Sequence, residues 1–242
     1  MDTARAFLTS LFIIFLSGVL SITGIVTMPL SPRGELYLSL ARLWAKIIFR
    51  VGGIDLRTTH SPDLDLTQRY VYLSNHESLT DILALFAALP QKVVMVAKRS
   101  LLILPVFSWG MWLAGFVFIN RKNRASAYKS MRDAGKLLRR GRSVLVFPEG
   151  TRGDGEALQK FKRGGFVLAQ AAGIPVVPVG IFGTRDVLPR DHFCVFPGRI
   201  AVCVGSPIAP PPDPMTDEQL EAWMVQVRSE VEKLCQQART LW

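Results

Sequence analysis

His76 and Asp81 stand five residues apart in YVYLSNHESLTDILALFAAL, residues 70 to 89, between a strand-like apolar run and a helical one. An imidazole in contact with a carboxylate makes a general base, because the carboxylate fixes one ring nitrogen and leaves the other free to take a proton. On one regular helix the two side chains would point about 140° apart, so they meet only if the chain breaks between them. The pattern supplies that break. A strand delivers His76 to a sheet edge, and Asp81 falls in the first turn of the next helix, facing back. The same residues also fit a plainer role, since Ser78 to Asp81 matches the S-x-x-[DE] capping box; capping and catalysis are compatible. His60 and His192 are read as surface or packing residues. No G-x-S-x-G nucleophile elbow accompanies the pair. A base without a protein nucleophile suits deprotonation of a substrate hydroxyl that attacks an activated carbonyl directly.

A second constellation is VLVFPEGTRGDG, residues 144 to 155, where an apolar strand empties into a Gly-rich loop carrying Glu149 and Arg152. Ligands of α/β sheets bind at such carboxyl ends. Arg152 offers a planar fork of donors suited to phosphate, and Gly150 lets the backbone approach closely. Arg121 ends GFVFINR and Lys98 ends VVMVAK, so four strand ends carry polar or basic groups, an anionic-substrate face.

The elements that must position these groups follow an α/β pattern. Apolar strand-like runs at 70–73, 93–97, 116–119, 144–147, 176–181 and 200–204 alternate with helical stretches at 82–89, 125–140, 166–172 and about 216–239. PIAPPPDP reads as the linker before the last helix. Upstream, residues 6 to 32 hold no charged side chain, long enough to cross a hydrocarbon core as a helix, and no A-x-A-like cleavage site follows. The next segment, ELYLSLARLWAKIIFRV, sets Arg42, Lys46 and Arg50 at successive i+4 positions of an amphipathic helix suited to anionic headgroups. That excess of basic residues after the apolar run puts the rest of the chain on the cytoplasmic side.

The chain has 242 residues and a formal charge of +10, enough for one substantial core and a preference for anionic partners. Its three cysteines form no CxxC pair, and no metal site is expected; they read as reduced, packed thiols of a cytosolic milieu.

NHESLTD (75 to 81), GFVFINR (115 to 121), FPEGTR (147 to 152) and IPVVPV (174 to 179) resemble, in order and spacing, the four blocks of the glycerolipid acyltransferases, most closely those of the 1-acylglycerol-3-phosphate type. The resemblance runs from about residue 35 to 210. It implies a mixed α/β sheet flanked by helices, with N-terminal membrane-associated helices. It divides the chain into membrane helices (1–53), an acyltransferase domain (54–210) and a C-terminal helix (211–242). It makes His76 the base and Asp81 its orienter, and Arg152, with Glu149, Gly150 and Thr151, the acceptor-phosphate block, joined by Arg121 and Lys98. The implied reaction moves an acyl group from coenzyme A or acyl carrier protein to the 2-hydroxyl of lysophosphatidic acid at the cytoplasmic face of a membrane. It uses no cofactor and no acyl-enzyme, and its partners are lipids rather than nucleic acid. The competing expectations are the same chemistry on a lyso-ornithine lipid or lysophospholipid, or a non-catalytic protein binding anionic lipid.

Overall fold

The computed structural model describes residues 3–31, 34–103, 107–120, 129–132, 134–135 and 142–242. Among them seven strands form one sheet: β1 (Ile54–His60), β2 (Val71–Ser74), β3 (Val93–Lys98), β4 (Val117–Ile119), β5 (Ser143–Val146), β6 (Val176–Phe182) and β7 (Gly198–Val204). Their order is β1-β7-β6-β2-β5-β3-β4, and every adjacent pair is parallel except β6 with β7. The helices are α1 (Thr3–Val26), α2 (Glu35–Gly52), α3 (Thr80–Ala88), α4 (Phe107–Leu113), α5 (Gly164–Ala172), α6 (Thr184–Val187) and α7 (Asp217–Arg239). Most of the expected helix at 125–140 lies outside the described residues; 129–132 and 134–135 are helical.

The central strands are apolar because both of their faces are covered. All four residues of β2 and of β5 are buried, as parallel strands between helical layers must be. Edge strand β1 buries only Ile54, so IDLRTTH carries no apolar signal, and the sequence reading passes over it. Helix α4 is missed as well, because seven residues are too few to show a helical period. The C-terminal helix starts where a reciprocal capping box forms: Gln219 N donates to Thr216 Oγ1 at 3.2 Å and Thr216 N to Gln219 Oε1 at 2.9 Å.

Helix α1 leaves Phe7, Leu8, Ile14, Phe15, Ile22 and Val26 between 54% and 69% exposed, and its Phe7–Val26 stretch of 20 residues is long and apolar enough to cross a membrane. The chain is therefore membrane-associated. It is also fastened sideways to the domain, since Val195 N donates to Ser10 Oγ at 3.0 Å and Trp44 Nε1 to Ser17 Oγ at 3.0 Å.

The expected basic stripe on α2 is split. Lys46 and Arg50 are exposed, but Arg42 turns inward and donates to Phe86 O (3.2 Å), Gln91 O (2.9 Å) and Leu89 O. These carbonyls belong to the end of α3 and the turn after it, where a helix has no amides left to bond them. A guanidinium fork reaches all three, so Arg42 is a helix cap rather than a headgroup ligand. Burial holds its pKa below the ordinary arginine value. Arg42→Met, which keeps the stem and removes the donors, is expected to cost about 2 kcal/mol. In thermal unfolding of the detergent-solubilised protein this lowers the midpoint by about 5 °C. An unchanged midpoint would show that the three bonds contribute nothing.

Candidate active site

Strand β2 ends at Ser74 and α3 begins at Thr80, and the five residues between them form the loop that carries His76. The loop is held at both ends. On one side the Asn75 amide copies a ladder pair, donating to Ile181 O at 2.9 Å and accepting from Ile181 N at 2.8 Å, which ties the chain to β6. On the other, Asp81 Oδ2 accepts from Glu77 N (2.7 Å), Ser78 N (3.0 Å) and His76 Nδ1 (2.7 Å). An oxygen already facing two amide hydrogens carries no proton, so the ring nitrogen is the third donor. His76 Nε2 is left with its lone pair. Asp81 is buried, with 1% side-chain exposure against 13% for His76, so the pair has one face open for a reactant.

The loop after β5 closes over this one. His76 N donates to Glu149 Oε1 at 2.8 Å, Gln159 N donates to Glu149 Oε2 at 3.2 Å, and Gly153 N donates to His76 O at 2.7 Å. Both backbone groups of His76 are thus gripped by residues 149–153. The phenyl ring of Phe147 lies against the imidazole, with centroids 4.0 Å apart and planes 16° apart.

The expected acceptor block is divided by this geometry. Both carboxylate oxygens of Glu149 serve the backbone of this chain, so Glu149 positions the His76 loop. Gly150 has φ +75°, and a Cβ there would meet the Lys162 ammonium group. Thr151 is exposed and donates its hydroxyl to Gln159 Oε1 at 3.2 Å. Arg152 is half-buried, and no hydrogen bond or ion pair with another described residue engages its guanidinium. Lys98 is exposed at the end of β3, and Arg121 lies outside the described residues.

Beyond Phe147 opens a groove of about 1320 Å³, floored by Val96, Ile119, Val146 and Met224 and edged by Lys129, Arg132, Lys160, Lys162 and Arg163. Arg163 is neutralised by Asp217 at 2.9 Å and Glu221 at 2.6 Å. Lys160 and Lys162 form no ion pair with a described residue. Sequence reasoning missed Lys162. Its signal was a Gly-rich loop returning into FKRGG, but without the fold nothing brings residue 162 beside 150. An apolar floor with uncompensated cations fits an anionic amphiphile.

A family model, Acyltransferase, matches residues 53–182, a span that includes the His76–Asp81 pair and the loop clasping it. The chain belongs to the acyltransferase family. It is 32% identical over 228 residues to a 1-acyl-sn-glycerol-3-phosphate acyltransferase of Chlamydomonas reinhardtii, covering 90% of this chain and 67% of that one. It is 36% identical over 174 residues to the mouse 1-acyl-sn-glycerol-3-phosphate acyltransferase alpha, covering 71% of this chain but only 60% of the relative. The crystal structure of the 1-acyl-sn-glycerophosphate (LPA) acyltransferase PlsC from Thermotoga maritima matches with a TM-score of 0.78 at 26% identity, over 97% of this chain and 98% of that one.

Behind the His76 loop of this acyltransferase lies a polar cavity of about 120 Å³ shared by Asn75, Glu77, Glu149, Cys235 and Arg239. Burial, and next the charge of Asp81, push the Glu77 carboxyl from 4.5 up to about 7. A carboxyl whose folded pKa is raised contributes stability that is complete below pH 4.5 and lost as pH rises through about 7. Glu77→Gln keeps an acceptor for Asn75 and cannot ionise. Its unfolding midpoint, measured against the parent, is expected to gain more at pH 8 than at pH 5. An equal difference at the two pH values would place the perturbation elsewhere.

Proposed function

We propose that this acyltransferase moves a fatty acyl group from a thioester donor to the 2-hydroxyl of 1-acyl-sn-glycerol 3-phosphate, forming phosphatidic acid. The observation that carries the reading is the oriented His76–Asp81 pair opening beside an apolar groove with a cationic edge. The names of the relatives support the same acceptor. His76 Nε2 takes the hydroxyl proton as the oxygen attacks the thioester carbonyl, and Asp81 steadies the imidazolium that results. The tetrahedral intermediate collapses with loss of the C–S bond, and the imidazolium returns the proton to the departing thiolate. No group on the protein is acylated. The donor carrier is coenzyme A or acyl carrier protein, and no cofactor takes part.

Phe147 supports the charge that His76 acquires, since a ring face stacked on an imidazolium stabilises the cation. Arg152, whose guanidinium no other described residue engages, and Lys162 are the cations we assign to the acceptor phosphate. The exposed Lys46 and Arg50, following an apolar helix, support a cytoplasmic face. The side bonds from Ser10 and Ser17 keep α1 along the domain, so we read it as entering one leaflet rather than spanning two.

His76→Ala is expected to abolish acyl transfer while the protein stays folded and membrane-bound. Asp81→Asn keeps the shape and removes the charge that orients the ring, with an expected loss in kcat of up to about 10⁴-fold. Near-normal turnover in His76→Ala would end the mechanism. Arg152→Lys removes a bidentate donor, so KM for the lyso-lipid should rise much more than KM for the donor. Product analysis by mass spectrometry across lysophosphatidic acid, lyso-ornithine lipid and lysophospholipid acceptors tests the substrate directly. A clear preference for a phosphate-free acceptor would overturn the assignment.

A further inference from the structure

The connection between β3 and β4 carries side chains that an ordinary surface turn would not. Trp109 and Trp112 on α4 are 55% and 65% exposed, and Ile103 in the turn before it is 81% exposed. Indoles left in water forgo a large burial term, and several large apolar groups together mark a surface that meets something.

Tyr37 of α2 shows what adjoins this surface. Gly24 on α1 and Gly110 on α4 both face the Tyr37 ring, and a Cβ on either would run into it. Gly34, just before α2, is packed against Ala114 just after α4 in the same way. Helices α1, α2 and α4 are therefore one packed layer, and α4 cannot stay behind when α1 enters a lipid phase. Tryptophan favours the boundary between hydrocarbon and headgroups, and Arg99 is exposed at the start of the same turn.

We propose that α4 and the turn Arg99–Ile103 form a second bilayer-inserting element, continuous with α1, that delivers the lyso-lipid from the bilayer to the groove. The proposal rests on the reading of the acceptor given above. Its structural basis is the strand on each side: β3 leads into this connection and supplies Val96 to the groove floor, and β4 leads out of it and supplies Ile119. A connection seated in the bilayer holds that wall of the groove at the membrane surface. A single-chain lipid then enters sideways without crossing water.

The test uses the full-length chain on vesicles of phosphatidylcholine and phosphatidylglycerol. With brominated acyl chains, tryptophan fluorescence of the parent is expected to be quenched, and W109F/W112F is expected to lose most of the quenched component. Equal quenching in both proteins would overturn the insertion. W109S/W112S should still sediment with vesicles, held by α1, yet acylate a long-chain acceptor embedded in them roughly tenfold more slowly. With a short-chain, water-soluble lysophosphatidic acid its rate should match that of the parent. Equal losses on the two acceptors would indicate a structural role and overturn delivery, as would no loss on either. A parent enzyme inert toward both acceptors would overturn delivery together with the proposed function, while the quenching comparison would still decide insertion.

Discussion

Asp81 Oδ2 accepts three hydrogen bonds within 3.0 Å, one from the ring of His76 and two from the backbone of Glu77 and Ser78. The amides fix the oxygen relative to the loop, and the oxygen fixes the ring. Such an arrangement needs a strand to end and a helix to begin within five residues, with the carboxylate in the helix's first turn, where the helix dipole also favours negative charge. The capping motif is made only in its carboxylate half: the oxygen that accepts from Ser78 N is the one that orients His76, while the Ser78 hydroxyl donates to Leu188 O and takes no bond from the Asp81 amide. Buried where competing water is scarce, the three bonds are stronger than they would be at the surface.

The neighbouring strands follow from that need. Because β2 lies between β5 and β6, the loops at the ends of all three meet at His76. The β6 end contributes the Ile181 backbone that pairs with Asn75, and the β5 end contributes Glu149. A buried carboxylate is costly unless bonded. Burial holds the Glu149 pKa above the ordinary carboxylate value, and the amides of His76 and Gln159 offset only part of that rise. Glu149 therefore joins two loops whose separate positions would be loosely defined.

The pair at 76 and 81 was legible because its members are near in sequence and sit where one periodicity gives way to another. The central strands were legible because burial on both faces leaves unbroken apolar runs. Contacts made across the sheet were not. Glu149 looked like a substrate group, and only the fold shows that residues 76 and 159 occupy its oxygens. Lys162 carries no signal of its own in the sequence, because only the fold brings its ammonium group over Gly150. Arg42 fitted a basic stripe by spacing alone, although the carbonyls that capture it lie 44 to 49 residues later, at 86, 89 and 91.

Arg42 has a consequence for dissecting the molecule. Helix α3 is nine residues long, about 13 Å, with Asp81 in its first turn and the Arg42 guanidinium closing its other end. The family match begins at residue 53, which invites a cut there to make a soluble catalytic fragment. Such a cut would remove α2 and with it the cap of the helix that carries Asp81 and so orients His76. A shortened protein intended for crystallisation or assay in free solution therefore has to keep residues 35–52 and replace their exposed apolar side chains, Leu36, Leu43 and Val51, instead.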